Sequence, residues 1–311
     1  MVTAFAIRRI LWLIPTLLAI YTVTFFVMHA TPGGPWDLEH VEHLHPQVVE
    51  NIKAQYGMDR PLTEQYATYL WRTVRHGDLG VSFGSAGRTV NEIVADYFPT
   101  SAQLGGMAIL VAVVVGVFLG VLGAIHVGKW IDYLATFLAV IGVSTPSFVV
   151  AILLVVVFAI QLQWVPFGVW EGVLSRRAIL PVVALSLGPM ALIARYTRSS
   201  MLNILNMDYI RTARAKGLSE RVVLYKHAFR NALIPVITLL GISFARVVVG
   251  SFFVESIVMI PGIGRYFVNS VFGRDYPVIM GLTLLYALII VSVNLVVDLS
   301  YAWIDPRVRY S

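Results

Sequence analysis

The sequence predicts an all-α integral membrane protein with six transmembrane helices, N and C termini cytoplasmic, and an outer helical insertion between helices 1 and 2. Three observations carry this. Mean hydropathy is +0.78 and only 13% of the 311 residues are charged, whereas soluble domains carry about a quarter. Six apolar stretches can cross a bilayer core of ~30 Å, which takes roughly 20 helical residues. Lys and Arg also fall unequally on the two sides that these stretches define. With the N-terminus inside, the cytoplasmic segments hold thirteen cations, among them Arg8, Arg9, Lys129, Arg195, Arg198 and Lys226. The two short outer loops hold four: Arg176, Arg177, Arg265 and Arg274.

The same observations exclude several functions. The absence of cysteine removes disulfides, thiolate metal sites and cysteine nucleophiles. The net charge of +6 is accounted for by topology, so no nucleic-acid partner is expected. Arg8 and Arg9 precede an apolar run too long for a signal core, so the N-terminus reads as a retained first span.

The spans fall at Ile10–His29, Ala102–Ile125, Tyr133–Ile160, Ile179–Tyr196, Leu233–Val258 and Val278–Ala302. Pro146, Pro189 and Pro235 lie within the third, fourth and fifth, where neighbouring helices can satisfy the freed carbonyls. This divides the chain into an N-terminus with first span (1–30), an extracytoplasmic helical insertion (31–100), and a five-helix core (101–311) with a cytoplasmic loop at 208–235.

The insertion carries nine acidic residues against five basic ones, as an outer segment can. Val48, Val49, Ile52 and Tyr56 have helical spacing. So do Tyr66, Tyr69, Leu70, Thr73 and Val74, and then Val90, Ile93, Val94, Tyr97 and Phe98. Thr89 and Glu92 form a capping-box pattern. A small helical cap on the outer mouth of the spans follows. His40, His43 and His45 cluster between Trp36 and Pro46. Imidazole ligates nickel or zinc, but no further ligand stands at a convincing spacing, so a solvated turn is favoured over a metal site.

Between spans four and five, residues 208–235 read as two short helices. Asp208 can cap the first, Gly217 can end it in the left-handed conformation, and Ser219 can cap the second. The segment Arg211-Thr212-Ala213-Arg214-Ala215-Lys216-Gly217 mixes small residues, which sit closely in a groove, with cations suited to an acidic rim. A basic helix lying on anionic headgroups would have the same composition.

The run Asp208-Tyr209-Ile210-Arg211-Thr212-Ala213-Arg214-Ala215-Lys216-Gly217-Leu218 resembles the EAA loop of ABC importer permeases. It is especially similar to that of the dipeptide/oligopeptide/nickel family, in its first-permease branch. Further landmarks agree along nearly the whole chain. They are Gly57-Met58-Asp59-Arg60-Pro61, Gly77-Asp78-Leu79-Gly80, Ser144-Thr145-Pro146-Ser147-Phe148, His227-Ala228-Phe229-Arg230-Asn231-Ala232-Leu233-Ile234-Pro235, Pro261-Gly262-Ile263-Gly264-Arg265, Arg274-Asp275-Tyr276-Pro277-Val278 and Asp305-Pro306-Arg307. Two departures stand out: Arg211 occupies the place of the general pattern's glutamate, and Pro32-Gly33-Gly34-Pro35 lacks the acid of the usual Pro-Gly-Asp-Pro.

The resemblance implies a non-catalytic permease subunit in a bacterial-type inner membrane. It would pair with a homologous second permease, two ATP-binding cassette subunits and an extracytoplasmic substrate-binding protein. ATP and Mg would sit on the ATPases, and this chain would bind no cofactor. Substrates in that family include peptides, nickel chelates and other small solutes. A secondary transporter would instead show an inverted repeat and paired broken helices, and neither is evident.

Two further patterns bear on energy and pathway. Gly123-Ala124-Ile125-His126-Val127-Gly128-Lys129-Trp130 imitates a phosphate-binding loop, but Trp130 replaces the magnesium-binding hydroxyl and a membrane helix precedes it. Arg246 and Glu255 lie nine residues apart in span five, hence on opposite faces. Intramembrane charges default to function, so Arg246 is a candidate pathway residue and Glu255 a candidate gate residue. Asp298 reads as structural. Gly116, Gly120 and Gly123 line one side of span two, where a helix can approach closely; an internal contact is favoured over a second-permease interface.

Overall fold

The structure, a computed structural model, describes residues 2–32, 54, 57–85 and 87–304. In chain order the helices are α1 (Val2–Ala30), α2 (Leu62–His76), α3 (Val90–Ile125), α4 (Trp130–Ser144), α5 (Ser147–Leu154, continued by a π-helical segment Val155–Gln161), α6 (Ile179–Leu205) and α7 (Asp208–Ala215). There follow α8 (Glu220–Val222, continued by a π-helical segment Val223–Phe229 and a last α-turn Arg230–Ala232), α9 (Ile234–Val258), α10 (Ile263–Phe272) and α11 (Tyr276–Ile304). Among the described residues the one β feature is an isolated antiparallel bridge between Val81 and Thr89.

Four helices are individually long and apolar enough to cross a membrane: Arg8–Ala30, Val90–Ile125, Arg176–Leu205 and Tyr276–Val297. Counting each bent pair of helices as one span raises the number to as many as seven. Helices serve here because hydrocarbon offers no partner for a free N–H or C=O.

Contacts divide the chain into two units. The first contains Thr100–Ile260, with described residues up to Arg9 and beyond Ile290. Its centre is α6, whose apolar window is 67% buried, against 11% for Arg8–Ala30. Leu180, Ala184 and Leu185 of α6 pack with Leu104 and Ala108 of α3, Ala151 of α5, and Val247 and Val254 of α9. Small residues let these backbones come close, as packing without a hydrophobic drive between helices requires.

The expected third span, Tyr133–Ile160, is two helices meeting at a 108° bend. Thr145 is extended, with φ −98° and ψ 124°, the backbone a following proline favours. Pro146 therefore breaks the span, where the sequence suggested it would be carried within one helix. Pro189, by contrast, sits inside α6. Pro235 falls in the first turn of α9, where its missing N–H has no intrahelical acceptor to lose.

The second unit contains Ile10–Pro99 and Pro261–Ile289. Tyr21, Phe25 and Met28 of α1 and Met280 of α11 form its core, with Tyr66, Tyr69 and Leu70 of α2 packed against them. Val74, expected on that face, is 76% exposed. The capping box is complete: the Thr89 amide donates to Glu92 Oε2 at 3.0 Å and the Glu92 amide to Thr89 Oγ1 at 3.2 Å. The helix it opens runs unbroken through Pro99 to Ile125, so the third stripe of the expected cap is the beginning of α3.

Asp275 clasps the unit together. Its Oδ2 accepts Ser82 Oγ at 2.5 Å and the Gly84 amide at 2.9 Å, and its Oδ1 faces the Val278 amide at 3.4 Å in the first turn of α11. Tyr69, beside it, donates to the Leu79 carbonyl at 2.9 Å. Burial pushes the Tyr69 phenol well above its ordinary range, and the charges of Tyr21, Asp78 and Asp275 act in the same direction.

Candidate functional site

The hairpin between α6 and α9 is built on a small apolar floor. Ile210 and Ala213 of α7 are buried against Met201 and Ile204 of α6 and against Val223, Ala228 and Ala232 of the following helix. Helical spacing then turns Arg211, Thr212, Arg214 and Ala215 outward, and all are exposed with Lys216 and Gly217. The Asp208 side chain is 96% exposed. It begins α7 but does not cap it: the cap position is Met207, with no side-chain hydrogen bond. Gly217 does adopt the left-handed conformation, φ +76°, and its amide donates to the Arg214 carbonyl at 2.9 Å. Ser219 holds the cap position of α8 without making a capping bond.

Two cross-links tie the halves of the hairpin. Arg214 meets Glu220 at 2.8 and 3.3 Å. Asn231 Nδ2 donates to the Tyr209 hydroxyl at 3.0 Å, and that hydroxyl in turn reaches the His227 carbonyl at 3.5 Å. The Tyr209–Asn231 link was not read from the sequence; the only hint was that His227 and Asn231 stand one helical turn apart. Only Asn206 and Met207 separate α6 from α7, and only Leu233 separates the second arm from α9, so the hairpin is joined by short connections to both long helices. The arrangement offers mechanical linkage and a cationic face. Among the described residues, no three His, Asp or Glu side chains converge as metal ligands would.

The other sequence candidates lie apart from the hairpin. Arg246 is exposed on α9, and among the described residues it lies in no ion pair. Glu255, one helix face away, is fully buried, and its carbonyl accepts the Ile260 amide at 2.9 Å. His40, His43 and His45 lie outside the described residues. In the segment that imitates a phosphate loop, the Gly128 amide is taken by Asp132 Oδ2 at 3.1 Å, and Gly128 has φ +73°. It is a helix-to-helix turn. Gly116 and Gly120 do mark an internal contact: a Cβ at Gly120 would stand 2.6 Å from the Ala194 carbonyl and 2.5 Å from Thr197 Cβ.

Residues 101–310 match the family described as the binding-protein-dependent transport system inner membrane component, and residues 1–105 match the corresponding N-terminal family. The chain belongs to this family. Among relatives of this permease, the oligopeptide transport system permease protein OppB of Salmonella typhimurium is 46% identical over 98% of the chain and 99% of its own length. The dipeptide transport system permease protein DppB of Bacillus subtilis is 44% identical over 98% of the chain and 97% of its own length. Among solved structures, the inward-facing MetNI methionine ABC transporter superposes with a TM-score of 0.55 at 17% identity, covering 69% of the permease and 97% of that chain. An amino acid ABC transporter gives 0.53 at 18%, covering 68% and 94%. At that identity the two structures establish the fold alone.

Proposed function

We propose that the chain is the first of two permease subunits in an ATP-driven peptide importer, and that the 208–235 hairpin is its coupling element. The observation that carries this is the cross-linked cationic hairpin joined at both ends to long apolar helices, in a chain nearly half identical to oligopeptide permeases. Asp208, Tyr209, Arg211, Thr212, Ala213, Arg214, Ala215, Lys216, Gly217 and Leu218 form the surface offered to a separate ATPase. The chain crosses the membrane six times with both ends in the cytoplasm, the orientation its cation distribution favours. Residues 31–100 form the extracytoplasmic insertion and 101–311 the core, in a bacterial-type inner membrane.

A homologous permease completes the pathway, two ATPases carry ATP and Mg, and a binding protein delivers cargo. ATPase closure moves the hairpin, α6 and α9 follow, and the pathway changes the side to which it opens. This subunit binds no cofactor and makes or breaks no bond. Arg246, an exposed cation on a membrane helix, lines the pathway and meets peptide carboxylates, while buried Glu255 fixes the outer end of α9.

Gly217→Pro tests the coupling role. Proline holds φ near −65°, which the φ of +76° at Gly217 excludes. In the reconstituted four-subunit transporter with its binding protein, ATP hydrolysis should persist while peptide uptake falls at least tenfold, with insertion unchanged. Normal uptake by that variant would refute the role. Ligands retained by the purified cognate binding protein identify the substrate, and a nickel chelate there in place of a peptide would correct the substrate class.

A further inference from the structure

Within the first unit a groove of about 370 Å³ lies between α3, α4 and α6. Its floor is made of small and aliphatic residues, with Gly120, Ala139 and Ala194 buried and Val140 and Val143 exposed along one wall. Two cations, Arg195 and Arg198, stand at one end. They differ in what they offer. Arg198 is held by Asp132 through two nitrogens, at 2.5 and 2.8 Å, and so is neutralised. Arg195 is exposed, stacks over the Tyr196 ring at 5.6 Å, and among the described residues meets no carboxylate. The groove therefore presents one uncompensated positive charge above an apolar channel.

Length and depth select the ligand. The wall of α4 from Ala135 to Ser144 rises about 14 Å at 1.5 Å per residue, close to half of a ~30 Å hydrocarbon core. Long basic side chains near helix ends reach along apolar surface to put their charge at the headgroup level. Trp130 at the start of α4 is 71% exposed, as interfacial anchors are. A free phosphate would gain nothing from the channel, and a zwitterionic lipid, whose own cation offsets its phosphate, would gain less from the charge than an anionic one.

We propose that this groove is a specific site for an anionic phospholipid of the inner leaflet, with its phosphate on Arg195 and one acyl chain between α4 and α6. The assignment to the inner leaflet rests on the orientation proposed above. Basic pockets between helices on the cytoplasmic side take such headgroups, and the lipid fills a gap that would otherwise leave the helix surfaces without packing partners.

The test is native mass spectrometry of the complete transporter, offered dioleoylphosphatidylglycerol and dioleoylphosphatidylcholine at equal concentration. The phosphatidylglycerol should be retained preferentially, one per chain. Arg195→Gln should weaken that retention about fivefold and that of phosphatidylcholine less, Arg195→Lys should restore most of it, and Ala139→Trp should displace both lipids. Equal retention of the two lipids, or retention insensitive to Arg195→Gln, overturns the proposal. So does a Val140→Cys label that reacts in the isolated chain but is shielded in the assembled transporter with no lipid retained, since the second permease then occupies the groove. Uptake and ATP hydrolysis measured on the same preparations separate the two readings. A parent transporter that couples normally but shows no preference for phosphatidylglycerol overturns the site alone, and one that retains the lipid but shows no ATP-dependent uptake overturns the importer reading alone.

Discussion

Arg198 and Asp132 show what a single pair contributes in this setting. The Asp132 side chain is 7% exposed and that of Arg198 31%, so the carboxylate depends on its donors: two guanidinium nitrogens and the Gly128 amide. Removing one partner of a buried pair leaves an uncompensated charge, which costs about 3–5 kcal/mol when both are fully buried. Solvent at Arg198 lowers this to about 2–3 kcal/mol for Arg198→Ala. Asp132→Ala should cost less, because the remaining guanidinium can turn to water, and the double variant should recover part of the Arg198→Ala loss. Thermal unfolding of the purified chains in detergent reads this ordering; an Arg198→Ala chain that melts with the parent would show the pair to be dispensable. No sequence pattern announced the pair, because its members are 66 positions apart. Thr89 and Glu92 were legible because they are three apart and a capping box is a local rule.

Glycine placement decides how closely the elements pack. At Gly120 an added Cβ would fall 2.6 Å from the Ala194 carbonyl and 2.5 Å from Thr197 Cβ, whereas at Gly106 it would meet nothing within 4 Å. Both glycines lie in α3, so their helix-propensity gain on mutation to alanine is alike. Gly120→Ala should push α3 from α6 and cost about 1–3 kcal/mol through overpacking. Gly106→Ala should be neutral or mildly stabilising, and parallel unfolding midpoints measure the difference. A lower midpoint for Gly106→Ala than for Gly120→Ala would show that the α3–α6 contact is looser than this geometry. The small-residue spacing was readable in the sequence, but its partner helix was not. Helix breaks were harder still. Pro15, Pro99 and Pro189 all lie inside helices, so proline alone does not cut a span. At Pro146 the preceding Ser144 and Thr145 add hydroxyls that compete for backbone groups and favour leaving the helix, a context weaker than the apolar run around it.

Across the whole molecule, hydropathy found the apolar stretches but not their breaks: four helices are individually long and apolar enough to cross a membrane, and as many as seven spans result if each bent pair counts as one. It could not say that α3 passes from one unit into the other near Pro99, or α11 near Ile289, since unit membership depends on contacts between distant segments. The two-helix form of the 208–235 hairpin was legible from its Gly217 stop, while the Tyr209–Asn231 link that ties its arms was not. Orientation rests on charge bias, and a cysteine-free chain allows a direct test. Leu174, before the cations Arg176 and Arg177 that the charge bias assigns to the outside, is 88% exposed, and Val222, on the hairpin, is 38% exposed. A single cysteine at Leu174 should react with a membrane-impermeant maleimide in right-side-out vesicles, and one at Val222 only in inverted vesicles. The predicted contrast is at least tenfold at each site, because the reagent does not cross hydrocarbon. The opposite pattern would place the hairpin outside, beyond the reach of any cytoplasmic ATPase, and remove the mechanical basis for ATP-driven import.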